Sequence, residues 1–353
     1  MEQTHNIHYF REIMNFCYTR KFLTVIFLMT GILLSFPSQA TLREYWIAAE
    51  KVSWDYAPSK KNLIHPDKGL NVWGETLKYT KYRYISYRDN SYKQALPQPE
   101  WMGILGPQIR AVVGDTIKVH FLNKTDRPLS IHPHGVHYDK DNEGADGGKG
   151  ASVSPGKRYT YTWVVDEAAG PGPSDPSSIV WLYHSHVMAE EEMNLGLIGT
   201  IVVTRAGMAH SASNPTPKDV DQEFTALFMI FDEENEEESG LKHAINGRLF
   251  GNLGGYKTKL GERIRWHLVA LGNEVDNHTV HWHGQTVLAH GRRTDVIELL
   301  PASMVSVDMI TRSPGNWLFH CHVNDHMLAG MSARWQVEES LKRPKSDISK
   351  NSP

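Results

Sequence analysis

The stretch WLFHCHVNDHMLAGM, Trp317 to Met331, places three histidines, a cysteine and two methionines in fifteen residues. Only one other cysteine, Cys17, occurs in the 353-residue chain. Residues two apart on a strand share a face, so His320 and His322 face one way and Cys321 the other. A metal on Cys321 and metals on its two neighbours would sit on opposite sides of one strand, joined by a short bonded path. Such a path carries electrons better than a gap through solvent.

Outward from this stretch the chain repeats itself. WLYHSHV (181–187) answers WLFHCHV (317–323), IHPHG (131–135) answers VHWHG (280–284), and GDTIKVHF (114–121) answers GERIRWHL (261–268). The last pair starts at a turn glycine and alternates apolar with polar residues, the period of a half-buried strand. Each copy closes on a strand-like run, IGTIVVT or ARWQV. With 28 glycines and 18 prolines punctuating short apolar runs, the reading is all-β. It predicts two Greek-key β-sandwich domains, 41–205 and 223–338. A polar Ser/Pro/Asn-rich linker, 206–222, joins them, and 339–353 reads as a disordered tail.

The net charge of −3 gives no reason to expect a nucleic-acid partner. At the other end of the chain, Arg20 and Lys21 precede the apolar run Phe22 to Phe36, and Ser38, Gln39 and Ala40 follow. This is the order of a secretory signal peptide over 1–40, cleaved near Ala40, with translation starting at Met1 or Met14. Fifteen apolar residues are short for a membrane span of about 20, although a retained anchor is the alternative. Cleavage removes Cys17 and leaves Cys321 with no disulfide partner, unusual for an exported protein. Metal binding explains a lone cysteine.

Ten of the 19 histidines fall in four clusters: His132 and His134; His184 and His186; His278, His281 and His283; His320, His322 and His326. One H-x-H pair is weak evidence. Four clusters at matching points of a repeat point to metal. A thiolate, two imidazoles and a weak thioether form the blue-copper set. Cys321 gives the thiolate, His326 and Met331 follow at +5 and +10, and His278 supplies the second imidazole. Zinc suits this set less well. The first copy lacks the site: Ser185 stands at the Cys321 position and Leu129 at that of His278. It keeps His132, His134, His184 and His186, matching His281, His283, His320 and His322. Those eight imidazoles could hold three more coppers. The loop DKDNEGADGGKG (139–150) offers carboxylates that could hold calcium, but reads more simply as a solvated loop.

HPHG, HSH, HTVHWH and HCHVNDHMLAGM, in this order, resemble the copper-binding motifs of multicopper oxidases. ILGPQIRAVVGDTIKV, KHAINGRLFGN and GNEVDNHTVHWHG further resemble ceruloplasmin- and hephaestin-type ferroxidases. The resemblance implies cupredoxin-like domains and about four coppers per chain. It assigns His278, Cys321, His326 and Met331 to a type 1 copper, and His132 and His281 to type 2. His134, His184, His186, His283, His320 and His322 fall to the type 3 pair. Electrons taken singly from a reductant at type 1 then reduce O₂ to water. Relatives with six domains join their first and last. A two-domain chain must join domains of neighbouring subunits, so a homotrimer is expected with clusters between subunits.

The same resemblance implies an iron-binding set beside type 1: Glu238, His243 and Asp325, with Glu274 from the neighbouring subunit. Fe(II) is then the expected reductant. Laccase-like oxidation of phenols or aromatic amines, and Cu(I) oxidation, are the alternatives. The methionines form no Met-rich insert of the kind a cuprous oxidase would carry. A copper carrier would leave eight histidines idle, and a copper nitrite reductase would lack the type 3 pair.

Overall fold

In the strand Thr116–Asn123, Ile117, Val119 and Phe121 point into the core, while Thr116, Lys118 and His120 lie on the outer face. The same two-residue period builds 19 strands in a computed structural model that describes residues 40–70, 77–233 and 240–339. All but Ala40 of the expected leader 1–40, Glu238, and all but Glu339 of the expected tail 339–353 lie outside the described residues.

Four sheets result. In the first half, Lys78–Tyr87, Leu42–Asp55, Thr116–Asn123 and Arg158–Val164 pair in that order, and Gln108–Val112, Ile198–Thr204, Ser178–His184 and His132–Pro133 form a second sheet. The second half reproduces both orders. Leu241–Ile245, Gln222–Asp232, Arg263–Ala270 and Met304–Ile310 make one sheet, extended by Val287–Ala289 and Arg292–Thr294. Lys257–Lys259, Ser332–Glu338, Gly315–Cys321 and His278–Trp282 make the other, ending at Val296–Leu299. The mixture of strand directions repeats as well. Leu42–Asp55 runs parallel to Thr116–Asn123, as Gln222–Asp232 does to Arg263–Ala270. Gln108–Val112 runs parallel to Ile198–Thr204, as Lys257–Lys259 does to Ser332–Glu338. A parallel pair needs a long crossover between its strands, which is how the chain passes between the two sheets of each sandwich.

Each half has its own core, around Phe121, Tyr161 and Trp163 in the first and Trp266, Trp282 and Phe319 in the second. A third apolar cluster draws on both halves: Tyr56, Leu105 and Leu182 pack with Leu227, Phe231 and Val269. Beside it lies a buried polar network. Arg110 pairs with Glu223 at 2.5 Å, Ser178 donates to Glu223 at 2.7 Å, and Arg265 donates to Ser177 and Ser178 at 2.7 and 2.8 Å. Removing one member of such a buried charged pair costs about 3–5 kcal/mol. The polar segment 206–222 is ordered rather than a bare spacer. His210 and Thr216 close a backbone bond at 3.0 Å, and Asp219 accepts from Ser177 at 2.5 Å.

The glycine that follows each H-x-H pair has a steric reason. Gly135 has φ +73°, and a Cβ there would meet the Trp181 ring at 2.0 Å; Gly284 has φ +72° and faces the Trp317 ring. The repeat therefore preserves a glycine–tryptophan contact that ties the H-x-H strand to the HSH or HCH strand. Gly114 has φ +101° but nothing within 4 Å. Gly135→Ala is expected to destabilise the copper-free protein by about 2–4 kcal/mol, against about 1–2 for Gly114→Ala, which adds backbone strain alone. Equal losses of thermal midpoint in the two variants would show that the ring contact does not matter.

Candidate metal centres

Cys321 is the last residue of its strand, and the short helix Asn324–Leu328 turns the chain back beneath it. The Cys321 amide donates to the Met331 carbonyl at 3.1 Å, and the Met331 amide to that of His326 at 2.9 Å. These bonds bring three donors together. His278 Nδ1 lies 3.2 Å from His326 Nδ1, and Cys321 Sγ lies 3.9 and 3.7 Å from those two nitrogens. The point equidistant from the three atoms is about 2.1 Å from each, a metal–imidazole bond length. Cys321 and Met331 are fully buried, and His278 and His326 nearly so. Burial pushes the Cys321 thiol pKa up, so only a cation at this point would hold it as thiolate. Burial, then His278, push His326 down to about 4, which leaves its lone pair free at neutral pH. The residues present therefore fit a soft, thiolate-binding metal.

On the other face of the same strand the H-x-H motifs pair in one register. His281 lies across from His320, as His132 does from His184. In the second half the His281 ring lies within 5.5 Å of those of His283, His320 and His322. In the first half the His132 ring lies within 5.5 Å of those of His134, His184 and His186. Backbone carbonyls orient these rings. His132 donates from Nδ1 to Glu143, His184 to Ser185, His281 to Asp295 and His320 to Cys321, all at 2.7–2.8 Å. A carbonyl only accepts, so the proton sits on Nδ1 and each Nε2 carries a lone pair. His134 and His184 Nε2 then face each other at 3.1 Å, as His283 and His320 do at 3.2 Å. Burial lowers His184 to about 3, and burial with neighbouring imidazoles lowers His134 and His320 to about 4. Neutral imidazoles converging on the lone pairs of His184 and His320 are what a metal would use.

The two quartets stay apart. Among the described residues no ring contact joins a histidine of one to a histidine of the other, and their metal-ligand groups are separate. The first half shows what stands in place of the thiolate site. The Ser130 amide donates to Ser185 Oγ at 3.0 Å, as the Thr279 amide reaches Cys321 Sγ at 3.5 Å. Leu129, fully buried, stands where His278 would be.

Three supporting groups were not visible in the sequence. Asp276 is buried, lies 3.3 Å from His278 Nε2, and is held by the Ile230 amide at 2.7 Å. The Glu143 and Asp295 carbonyls act through loop backbone, which side-chain identity does not report. The calcium expectation for 139–150 gains no support. Asp141 pairs with Lys149, Glu143 with Lys140, and Asp139 accepts from the Asn142 amide. No group of ligands converges there among the described residues. The loop instead orients His132 through Glu143.

Of the expected iron set, His243 lies with its ring 5.1 Å from that of His326. Burial, then His326 and His278, push it down to about 3. Asp325 is exposed in the first turn of the helix that carries His326. Glu274 is exposed in the loop before His278. Glu238 lies outside the described residues. His243, Asp325 and Glu274 form no close ligand group within one chain among the described residues.

Residues 102–207 and 215–340 match two family models, both described as multicopper oxidase. The chain belongs to the multicopper oxidase family. Its cofactor is copper, in keeping with the Cys321 site and the two quartets. The chain is 38% identical to the ferroxidase HEPHL1 of Homo sapiens over 92% of its own length and 31% of that protein. It is 37% identical to Homo sapiens hephaestin and 36% to Homo sapiens ceruloplasmin, over 87% and 84% of its length and 30% of theirs. It thus spans about a third of the length of these relatives. A solved multicopper oxidase superposes with a TM-score of 0.60 at 22% identity, covering 85% of this chain and 90% of that one. The multicopper oxidase mgLAC gives 0.61 at 20%, covering 87% and 90%. At such identities the likeness speaks for the cupredoxin-like fold.

The depressed histidines set a pH dependence. His134, His184, His243, His320 and His326 titrate near 3–4 when folded, against about 6.5 when unfolded. Between those values the unfolded chain binds protons that the folded chain does not, so stability rises with pH across that window. The copper-free multicopper oxidase should lose thermal stability steadily from pH 6.5 to 4. A midpoint that holds level or rises on acidification would contradict these assignments.

Proposed function

We propose that this multicopper oxidase couples one-electron oxidation of Fe(II) to four-electron reduction of O₂ to water, as an exported homotrimer. The observation that carries the reading is the pair of imidazole quartets, in equal register on the two halves, one of them on the strand of a thiolate site. We assign His278, Cys321, His326 and Met331 to the type 1 copper, and His132 and His281 to type 2. His134, His184, His186, His283, His320 and His322 serve the type 3 pair. The domain limits are those read from the sequence, 41–205 and 223–338.

Bound copper supplies single-electron acceptance at the first site and binding and reduction of O₂ at the second. The chain supplies the rest. Cys321 lies between His320 and His322, so thiolate and imidazoles share consecutive backbone units. The Glu143 and Asp295 carbonyls hold His132 and His281 in one tautomer. Burial excludes water from the thiolate. Each quartet alone has four imidazoles, half of what three coppers need, and the two do not meet within the chain. A head-to-tail contact would bring the quartets of neighbouring subunits together, and three copies would close it as a ring.

The iron reading rests on His243 beside His326, on exposed Asp325 next to it, and on the likeness to proteins named ferroxidases. Carboxylates bind Fe(III) more tightly than Fe(II), so they ease its oxidation, and they attract the cation. Glu238 and a neighbouring subunit's Glu274 would complete the set. Export is supported by the basic and apolar order of residues 20–40.

Asp325→Ala with Glu238→Ala is expected to lower Fe(II) turnover at least about tenfold while a bulky phenol loses less than about threefold, a difference of at least about 0.7 kcal/mol. Equal losses on both donors would remove the iron site. Cys321→Ser should abolish blue absorption and turnover while metal analysis falls from about four coppers per chain to about three. Loss of all copper would place the thiolate among the structural supports of the second site.

A further inference from the structure

The core of the second half contains three tryptophans, Trp266, Trp282 and Trp335, that are fully buried with no hydrogen-bond partner on their indole nitrogens. Buried indoles normally find one. In the first half they do: Trp163 donates to the Asn142 carbonyl at 3.0 Å and Trp181 to that of Ala169 at 2.8 Å.

The internal repeat supplies a control. Strand registers match Trp266 with Val119, Trp282 with Pro133, Trp335 with Ile201 and Tyr256 with Ile109. The same fold therefore fills these positions with aliphatic side chains where no thiolate site exists. At Trp266 the exchange also balances volume, since Trp266 faces Val307 where Val119 faces Tyr161.

The rings form a row with two identifiable ends. Trp282 lies between His281 and His283, so its backbone is bonded to two members of a quartet. Its ring is 5.6 Å from Trp266, which is 5.0 Å from Tyr256, which stacks on Trp101 at 6.1 Å. Phe224 bridges Trp266 and Trp101 as well, at 5.1 and 5.7 Å. Trp101 is only partly buried. It borders an open cavity of about 510 Å³ that Trp46, Tyr87 and Arg88 also line.

We propose that this row is a second one-electron path, joining the quartet of the second half to the Trp101 cavity. It rests on the proposed function, which supplies the oxidant: partly reduced oxygen held at the copper of the quartets. When reductant at the Cys321 side runs short, one electron leaves Trp101, or an electron-rich aromatic donor beside it, and passes through Trp266 and Trp282 to that oxidant. The oxidant is reduced by one electron, and the donor's proton goes to water in the cavity. The orphaned indoles suit this role. An oxidised indole with no acceptor on its N–H keeps its proton, so the vacancy moves on instead of being trapped inside the core. At Trp101 water is available and the reaction ends harmlessly at the surface.

The test uses the copper-loaded protein, given O₂ with a limiting amount of Fe(II), then digested and mapped by mass spectrometry. Oxygen addition is expected at Trp101, at least about fivefold above a copper-free control, with an organic radical signal in rapidly frozen samples. Trp266→Phe should cut oxidation at Trp101 at least about fivefold and move damage to Trp282. Trp101→Phe, which asks little of folding, should remove the radical signal and raise oxidation inside the core. Unchanged oxidation of Trp101 in Trp266→Phe, or an unchanged radical in Trp101→Phe, overturns the path. Oxygen consumption by the parent protein with no oxidation at Trp101 overturns it too, leaving the proposed function standing. No oxygen consumption at all overturns that function first.

Discussion

Two imidazole lone pairs cannot face each other at 3.1 Å unless a proton or a metal lies between them. The protein makes this arrangement twice, at His134 with His184 and at His283 with His320. In each case one partner, His184 or His320, presents a lone pair. Backbone carbonyls at Ser185 and Cys321 hold its proton on the far nitrogen, and burial lowers the pKa values so that a second proton does not bind near neutral pH. A cation suits that lone pair, and each quartet offers four of the eight imidazoles. The trimer, the copper requirement and the electron path are all consequences proposed from that constraint.

The repeat then divides the labour. Both halves keep the H-x-H register, the glycine against tryptophan, and the amide aimed at position 185 or 321. The first half replaces thiolate and imidazole by Ser185 and Leu129 and becomes a simple holder of imidazoles. The second keeps Cys321, with His278 and His326 beside it. The two are locked by Arg265, Glu223 and Arg110, buried charges that must stay paired or cost several kcal/mol. That lock fixes where each quartet points relative to the rest of its chain, which a closed ring requires.

Much of this was legible in the sequence because strand periodicity is short. A period of two places His320 and His322 on one face and Cys321 on the other with no further information. The repeat showed which residues correspond, including Ser185 and Leu129. The Glu143 and Asp295 carbonyls were not legible, because any residue type offers a carbonyl and only the loop path aims it. Nor was the buried network. Glu223, Arg265 and His267 sit at alternating polar positions that read as a solvated face, and only the packing of one half on the other buries them. The carboxylates of 139–150 read as a solvated loop, and within it Asp141 and Glu143 pair with lysines.

The central claim is that a working cluster is assembled from two chains, and complementation tests it most directly. One variant carries His132→Ala and His134→Ala, and another carries His281→Ala and His283→Ala. Each keeps the Cys321 site, and each alone should consume no O₂. Dissociated, mixed and reassembled with copper, they should regain oxygen consumption, because the intact quartet of one meets the intact quartet of the other. A mixture that forms trimers and stays inactive would contradict the account.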